Sequence, residues 1–235
     1  DIEPIQGAFY ASSNYGKMFF SKFREQRKEE LSRSLLPIDD ETELYILKDT
    51  NLLSIKGTLE YNSSISEDSP TNRIVTSLYA KERIMFLLQY GICYKETTDK
   101  NGIRHIEKHI MRYPQMFATM AIRDRLDEGI KKGIIWHTQG SGKTALAYSN
   151  VLYLRDYFQK QGKIAKFYFI VDRIDLASQA KAEFEARGLK VITVDSKEDF
   201  VTNISSIGEA DKSGKIAFTV VNIQKFSAES VTKKA

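Results

Sequence analysis

The chain has 235 residues, of which 42% are hydrophobic, 28% charged and 11% aromatic, a balance that excludes a disordered tail and fits one or two globular domains. Lys and Arg number 35 against 31 Asp and Glu, so the net charge is +4, a mild basic excess that permits nucleic-acid binding without requiring it. No apolar run nears the roughly 20 residues of a membrane span, and one cysteine, Cys93, excludes an internal disulfide framework and leaves few ligands for a Cys-based metal site.

Taken in chain order, Ala8 to Ala11 reads as a short strand. The mixed-sign charged run from Lys17 to Glu30 reads as a solvated helix face, and Leu44 to Leu47 as another short apolar run. Asn62 to Asn72, rich in Ser, Asn, Asp and Pro, is the clearest linker. Leu78 to Tyr90 reads as a helix, and Cys93, among Gly91, Ile92 and Tyr94, as a buried thiol. Pro114 suits the first turn of a helix, and Phe117, Ala118, Ala121, Ile122 and Leu126 continue it at helical spacing to Gly129. Gly133 to Trp136 is a short apolar strand, followed by a glycine turn and a helix from Lys143 that Gly162 stops. Lys166 to Val171 is a near-continuous apolar strand, as expected of one buried in a parallel sheet. A helix through Leu176 and Phe184 follows, then a strand at Val191 to Val194, a helix capped by Ser196 and a strand at Ile216 to Val221. Strands and helices alternating over short connections specify a doubly wound parallel α/β sheet. Functional residues in such sheets lie at the carboxyl ends of the strands. Here those ends carry His137, Thr138 and Gln139, then Asp172 and Arg173, Asp195 and Ser196, and Asn222.

The strongest chemical signal is His137-Thr138-Gln139-Gly140-Ser141-Gly142-Lys143-Thr144, a glycine loop between a strand and a helix. Gly140 and Gly142 let backbone N–H groups approach phosphates, and the helix N-terminus adds partial positive charge. Lys143 supplies an ammonium for the β- and γ-phosphates, and Thr144 a hydroxyl for Mg²⁺. The full pattern has Gly where this chain has His137. Upstream, Arg112-Tyr113-Pro114-Gln115 fits a helix N-terminus with a solvated glutamine. On its own the motif favours that solvated glutamine; an amide also carries the donor and acceptor of an adenine contact, and the nearby phosphate loop turns the reading to that contact. Arg173 fits either a phosphate contact or a local pairing with a neighbouring Asp, and the segment from Asn222 to Phe226 is similarly two-sided.

Three stretches together carry a resemblance: Trp136 to Thr144, Arg112 to Gln115, and Val171-Asp172-Arg173-Ile174-Asp175-Leu176. They resemble the restriction (R) subunit of type I restriction-modification enzymes, a superfamily 2 ATPase and DNA translocase. Asn222 to Phe226 is similar to the segment before that family's second ATPase motif, and Ala8 to Asn14 to a strand and turn late in its nuclease region. The resemblance implies a partial chain: residues 1–70 the C-terminal part of an endonuclease-like α/β domain, 71–107 a helical connection, and 108–235 an incomplete first RecA-like ATPase lobe. It implies ATP and Mg²⁺ as cofactors. Arg112, Gln115, Thr138, Gly140, Ser141, Gly142, Lys143 and Thr144 would bind them, with Lys143 and Thr144 catalytic and Thr144 the metal contact. Arg173 and Gln179 would meet DNA or couple the lobes. The implied partners are double-stranded DNA and the methylation and specificity subunits, in the cytoplasm and without a membrane. The family's Asp-Glu-x-His motif has no match after Phe226, and no Asp…Glu-x-Lys nuclease set is evident, so this chain is expected to bind nucleotide better than it hydrolyses it. The alternatives are another superfamily 2 motor, such as a type III restriction subunit or a remodelling motor, a small-molecule or nucleoside kinase, and a nucleotide-binding regulatory module.

Overall fold

The computed structural model describes residues 9–14, 17–27, 38–64, 77–194, 196–205 and 218–224. Ile216, Ala217, Asp195, Lys225, Phe226 and most of the linker read at 62–72 lie outside them.

Two sheets organise the chain. The first is antiparallel: β1 (Phe9–Asn14), β2 (Lys17–Lys22), β3 (Ile92–Thr98) and β4 (Arg104–Ile110), in the order β2-β1-β4-β3. Lys17 to Lys22 is therefore a strand and not the helix face its charges suggested. It pairs with β1 along its whole length, from Phe9 with Lys22 to Asn14 with Lys17, and backbone pairing outweighs a local charge pattern. Residues 71–107 likewise hold more than a helical connection. The short helices α1 (Asp40–Asp49) and α2 (Leu59–Ser64) precede α3 (Lys81–Phe86), which widens into a π-turn over Leu87–Gly91 and runs straight into the β3–β4 hairpin. Asp99 holds that hairpin's loop, its carboxylate accepting from the Asn101 and Ile103 amides at 2.8 and 2.9 Å. Ser13 pairs with Lys108, so β1 and β4 unite segments some 95 residues apart in sequence, at positions 13 and 108.

The second sheet is parallel: β5 (Phe167–Val171), β6 (Val191–Val194) and β7 (Phe218–Asn222), with β7 in the centre. Every residue of β7 is buried, the mark of a strand covered on both faces. Helices α5 (Lys143–Gln159) and α6 (Ile174–Glu185) cover one face. There Phe184 packs tilted against Phe218 with ring centroids 4.3 Å apart, in one core with Tyr148, Val151 and Val220. Helix α7 (Lys197–Ser205) covers the other, where Phe200 meets Tyr168 edge-on and the Tyr168 hydroxyl donates to Asn203 at 2.9 Å. Ser196 caps α7 as its position suggested, accepting from the Asp199 amide at 3.0 Å. The α/β class and the parallel sheet follow the sequence reading.

Gly133 to Trp136 departs from it. The segment has no assigned regular structure and joins neither sheet, with Ile134 91% and Trp136 89% exposed. A strand exists only against a hydrogen-bonded neighbour. Among the described residues β5 and β6 each pair with β7 alone, and nothing pairs with 133–136.

Helix α4 (Tyr113–Asp127) joins the halves. With α3 it builds a second core around Phe23, Phe86, Met116, Phe117 and Met120, and Leu152 of α5 touches both cores. Arg83 is buried in that core beside Glu25, at 3.0 Å, both side chains under 5% exposed (3% and 4%), and its guanidinium lies 5.3 Å from the Phe117 ring centre. Among the described residues no helix is long and apolar enough to cross a membrane.

Candidate phosphate-binding site

The glycine loop is shaped by two left-handed residues. Gly140 has φ +74° and Gly142, the residue that opens α5, φ +83°, a conformation costing other L-residues about 1–2 kcal/mol. A Cβ at Gly140 would meet open space, whereas one at Gly142 would sit 2.5 Å from the Gln115 side-chain nitrogen. The two glycines therefore do different work: one frees the outer rim, and the other admits a neighbour.

That neighbour is Gln115, 4% exposed. Its Oε1 accepts from the Arg112 amide at 2.8 Å, closing the capping box of α4. Its Nε2 donates to the carbonyls of Ser141 at 3.2 Å and Gly142 at 3.0 Å. Arg112 adds a bond from Nη2 to the Gly140 carbonyl at 3.3 Å. Three successive loop carbonyls are thus tied to the start of α4. The amide expected to face adenine is committed to the loop itself, with both its N–H bonds engaged. Below it, the Thr119 hydroxyl bonds the Gln115 carbonyl at 3.0 Å and Asn150 Oδ1 at 2.7 Å, joining α4 to α5. Neither Thr119 nor Asn150 drew attention in the sequence. The available signal was Thr119 lying one helical turn after Gln115.

Lys143 is the first residue of α5, and no acidic side chain occupies that first turn. A cation at a helix N-terminus opposes the helix dipole by about 0.3–1 kcal/mol, a cost an anion there would offset. Its Nζ bonds the Thr138 carbonyl at 2.9 Å. Ser141 Oγ is buried without a hydrogen-bond partner, an arrangement native structures rarely leave unexplained. Thr144 is half-buried in the first turn. The orphaned hydroxyl, the open space over Gly140 and the unopposed Lys143 fit a triphosphate with its Mg²⁺. Among the described residues no cluster of His, Cys, Asp and Glu is placed to hold a metal by itself.

The weaker sequence candidates lie elsewhere. Arg173 precedes α6, exposed, its guanidinium gripping Asp175 through Nε at 3.2 Å and Nη2 at 2.8 Å. Gln179 is exposed on α6. Asn222, 4% exposed, accepts from the Gln224 amide at 2.8 Å and keeps its Nδ2 unpartnered. The structure does not bring these residues to the glycine loop's bonding network.

A cleft of about 610 Å³ opens beside Gly142, between β4 and α5. Its far end holds Cys93, which the sequence marked as a buried thiol, and Arg187, which the sequence did not single out. Burial pushes the Cys93 thiol above its ordinary value of 9.0, against the pull of Arg187. Glu183 receives the Lys95 ammonium at 2.7 Å and the Arg187 guanidinium. Burial alone would raise the Glu183 carboxyl, but these two cations hold it below the ordinary 4.5. With the Glu96 amide on the Ala186 carbonyl at 2.8 Å, they fasten β3 to the end of α6.

A family profile described as SWI2/SNF2 ATPase matches residues 114–235. The endonuclease subunit of the type I restriction enzyme MjaVIIP from Methanocaldococcus jannaschii is 32% identical over 163 residues, 64% of this chain and 15% of that protein. The corresponding SsaAORF53P subunit from Staphylococcus saprophyticus is 34% identical over 119 residues, 50% of this chain and 12% of that protein. A Staphylococcus aureus relative, SauCOLORF180P, is 39% identical over 74 residues, 32% of this chain and 8% of its own. The chain thus spans less than a sixth of the length of these relatives. No solved structure matches it.

Proposed function

The chain belongs to the SWI2/SNF2 ATPase family, and from that membership we propose that it is part of the endonuclease subunit of a type I restriction-modification system, carrying ATP-driven motor sequence and some of the nuclease region. Its relatives in two Staphylococcus species and in Methanocaldococcus jannaschii support the restriction assignment over a remodelling motor. The observation that carries the ATP reading is the glycine loop whose carbonyls are fastened to Arg112 and Gln115 while Lys143 stands at the mouth of α5.

With its carbonyls held toward α4, the loop leaves the N-terminal amides of α5 to phosphate oxygens, while the Ser141 amide bonds the Thr138 carbonyl at 3.3 Å. Lys143 exchanges the Thr138 carbonyl for the β- and γ-phosphates, and Ser141 gains the partner it lacks. Thr144 would hold Mg²⁺, which when bound neutralises phosphate charge and orients the γ-phosphoryl group. Arg173 and Gln179, beside the carboxyl end of β5, are assigned to DNA, with a backbone phosphate replacing Asp175 on the Arg173 guanidinium. The methylation and specificity subunits are the assigned protein partners, and the cytoplasm the compartment.

Lys143→Ala tests the reading. Losing a charge-assisted contact worth about 1.5–3 kcal/mol weakens binding of a Mg²⁺-bound, non-hydrolysable ATP analogue roughly ten- to a hundredfold, with the melting temperature unchanged. Unaltered affinity in that variant refutes the phosphate-loop assignment.

A further inference from the structure

Thr119 is 0% exposed, and its hydroxyl lies between two oxygens, the Gln115 carbonyl at 3.0 Å and Asn150 Oδ1 at 2.7 Å. A hydroxyl carries one hydrogen and both neighbours are acceptors, so only one of them is served at a time. The helix decides which. A threonine inside a helix turns its hydroxyl back onto the carbonyl four residues earlier, and for Thr119 that residue is Gln115. With the hydrogen spent there, the Thr119 oxygen has only lone pairs to offer Asn150, and two acceptors facing each other at 2.7 Å repel. Native structures rarely leave buried polar atoms in that state.

A half turn of the Asn150 amide removes the conflict. It exchanges oxygen for nitrogen at almost unchanged shape, and among the described residues the Asn150 side chain has no other hydrogen bond to lose. The bonds then run in one direction, from Asn150 Nδ2 to the Thr119 hydroxyl and from that hydroxyl to the Gln115 carbonyl. Position matters as much as polarity. Asn150 stands about two helical turns after Lys143 on α5, and Thr119 about one turn after Gln115 on α4. Helix α4 is therefore attached twice: through the Gln115 amide on the Ser141 and Gly142 carbonyls at the mouth of α5, and through Thr119 on Asn150 further along it. One attachment would leave α4 free to roll about its axis. Two fix the roll, and with it the aim of the Gln115 amide.

We propose that Asn150 and Thr119 are positioning residues of the phosphate loop: Asn150 donates to Thr119, Thr119 donates to Gln115, and this chain of bonds holds the Gln115 amide at the angle that clamps the loop carbonyls. The inference rests on the phosphate-loop reading above. It adds two residues outside the loop that touch no ligand and set the loop's shape through Gln115.

Asn150→Asp on the full chain tests the direction of the bonds, because a carboxylate accepts and does not donate. At neutral pH it draws the Thr119 hydrogen away from Gln115, and is expected to weaken binding of inorganic tripolyphosphate with Mg²⁺ about two- to tenfold. Thr119→Val, which removes the hydroxyl at nearly constant shape, is expected to do the same, and Thr119→Ser to keep the affinity of the unaltered chain. A double-mutant cycle separates positioning from simple packing. In a Gln115→Ala background, Thr119→Val is expected to lower the melting temperature again while taking nothing more from the affinity, since the group it acts through is gone. If Asn150→Asp binds tripolyphosphate and melts as the unaltered chain does, the donor chain is refuted and the loop reading stands. If Thr119→Val costs the same affinity with and without Gln115, the pair does not position the clamp. If tripolyphosphate fails to bind the unaltered chain, the loop reading itself fails and the inference with it.

Discussion

Replacing Gln115 by glutamate changes one atom's chemistry at the centre of the loop clamp. The bond from the Arg112 amide to Oε1 survives, since a carboxylate accepts as well as an amide does. The two bonds from Nε2 to the Ser141 and Gly142 carbonyls, at 3.2 and 3.0 Å, do not. Losing them costs about 1–3 kcal/mol at the usual net value per bond. Burying a carboxylate against two carbonyls at a position 4% exposed adds about 1–3 kcal/mol more. At about 2–4 °C per kcal/mol for a chain of this size, Gln115→Glu melts roughly 5–20 °C lower while helix α4 keeps its start. A carboxylate so placed resists ionisation and its protonated form regains one donor, so the deficit shrinks in mild acid. The loop loosens as a whole, and affinity for tripolyphosphate and for an ATP analogue falls by the same factor. Thermal melts across pH and titrations with both probes check this. Equal stability at neutral pH refutes the clamp, and a loss confined to the analogue returns Gln115 to the role of adenine reader.

The two loop glycines respond differently to alanine. Gly140→Ala costs only the left-handed backbone strain of about 1–2 kcal/mol, because its Cβ meets open space, whereas Gly142→Ala also drives its Cβ against Gln115 and loses more stability and more nucleotide affinity, as paired melts and titrations read. Arg83→Ala leaves the buried Glu25 without its cation, held among the described residues only by the Gln26 and Arg27 amides, and destabilises the fold by about 3–5 kcal/mol, and the double variant Arg83→Met with Glu25→Leu recovers most of this in denaturant unfolding. The Glu183 carboxyl, held below 4.5 by Lys95 and Arg187, stabilises the β3–α6 contact above that value and loses its contribution as pH falls through the lower folded-state value. Glu183→Gln therefore melts below the unaltered chain at pH 7, and the gap closes in acid below about pH 4.5.

The parts of the fold legible in the sequence are those whose cause is local. Pro114 starts α4, Ser196 caps α7, and the apolar runs that became β5, β6 and β7 each carry a strand's composition. What stayed hidden depends on partners distant in the chain. Lys17 to Lys22 looked helical because its charges are mixed, yet its identity is decided by pairing with β1. Gly133 to Trp136 has a strand's composition, and among the described residues no strand pairs with it. Gln115 was legible as an amide ahead of a phosphate loop. That its N–H groups face carbonyls 26 and 27 residues later was not, because sequence spacing does not give the angle between two helices.

The same distinction explains why His137 can stand where the phosphate-loop pattern has glycine. A pattern of letters records two requirements that the structure separates: a conformation only glycine adopts cheaply, and a space only glycine leaves free. Gly140 and Gly142 both have positive φ, and Gly142 also makes room for Gln115. Among the described residues Asn51 is the only non-glycine with positive φ, so His137 has an ordinary backbone conformation and pays no such strain. The loop is bent instead at Gly140 and Gly142 and tied down from α4. A mismatch at the loop's first position therefore leaves the bonding that shapes the loop intact, and a mismatch at Gly142 would remove it.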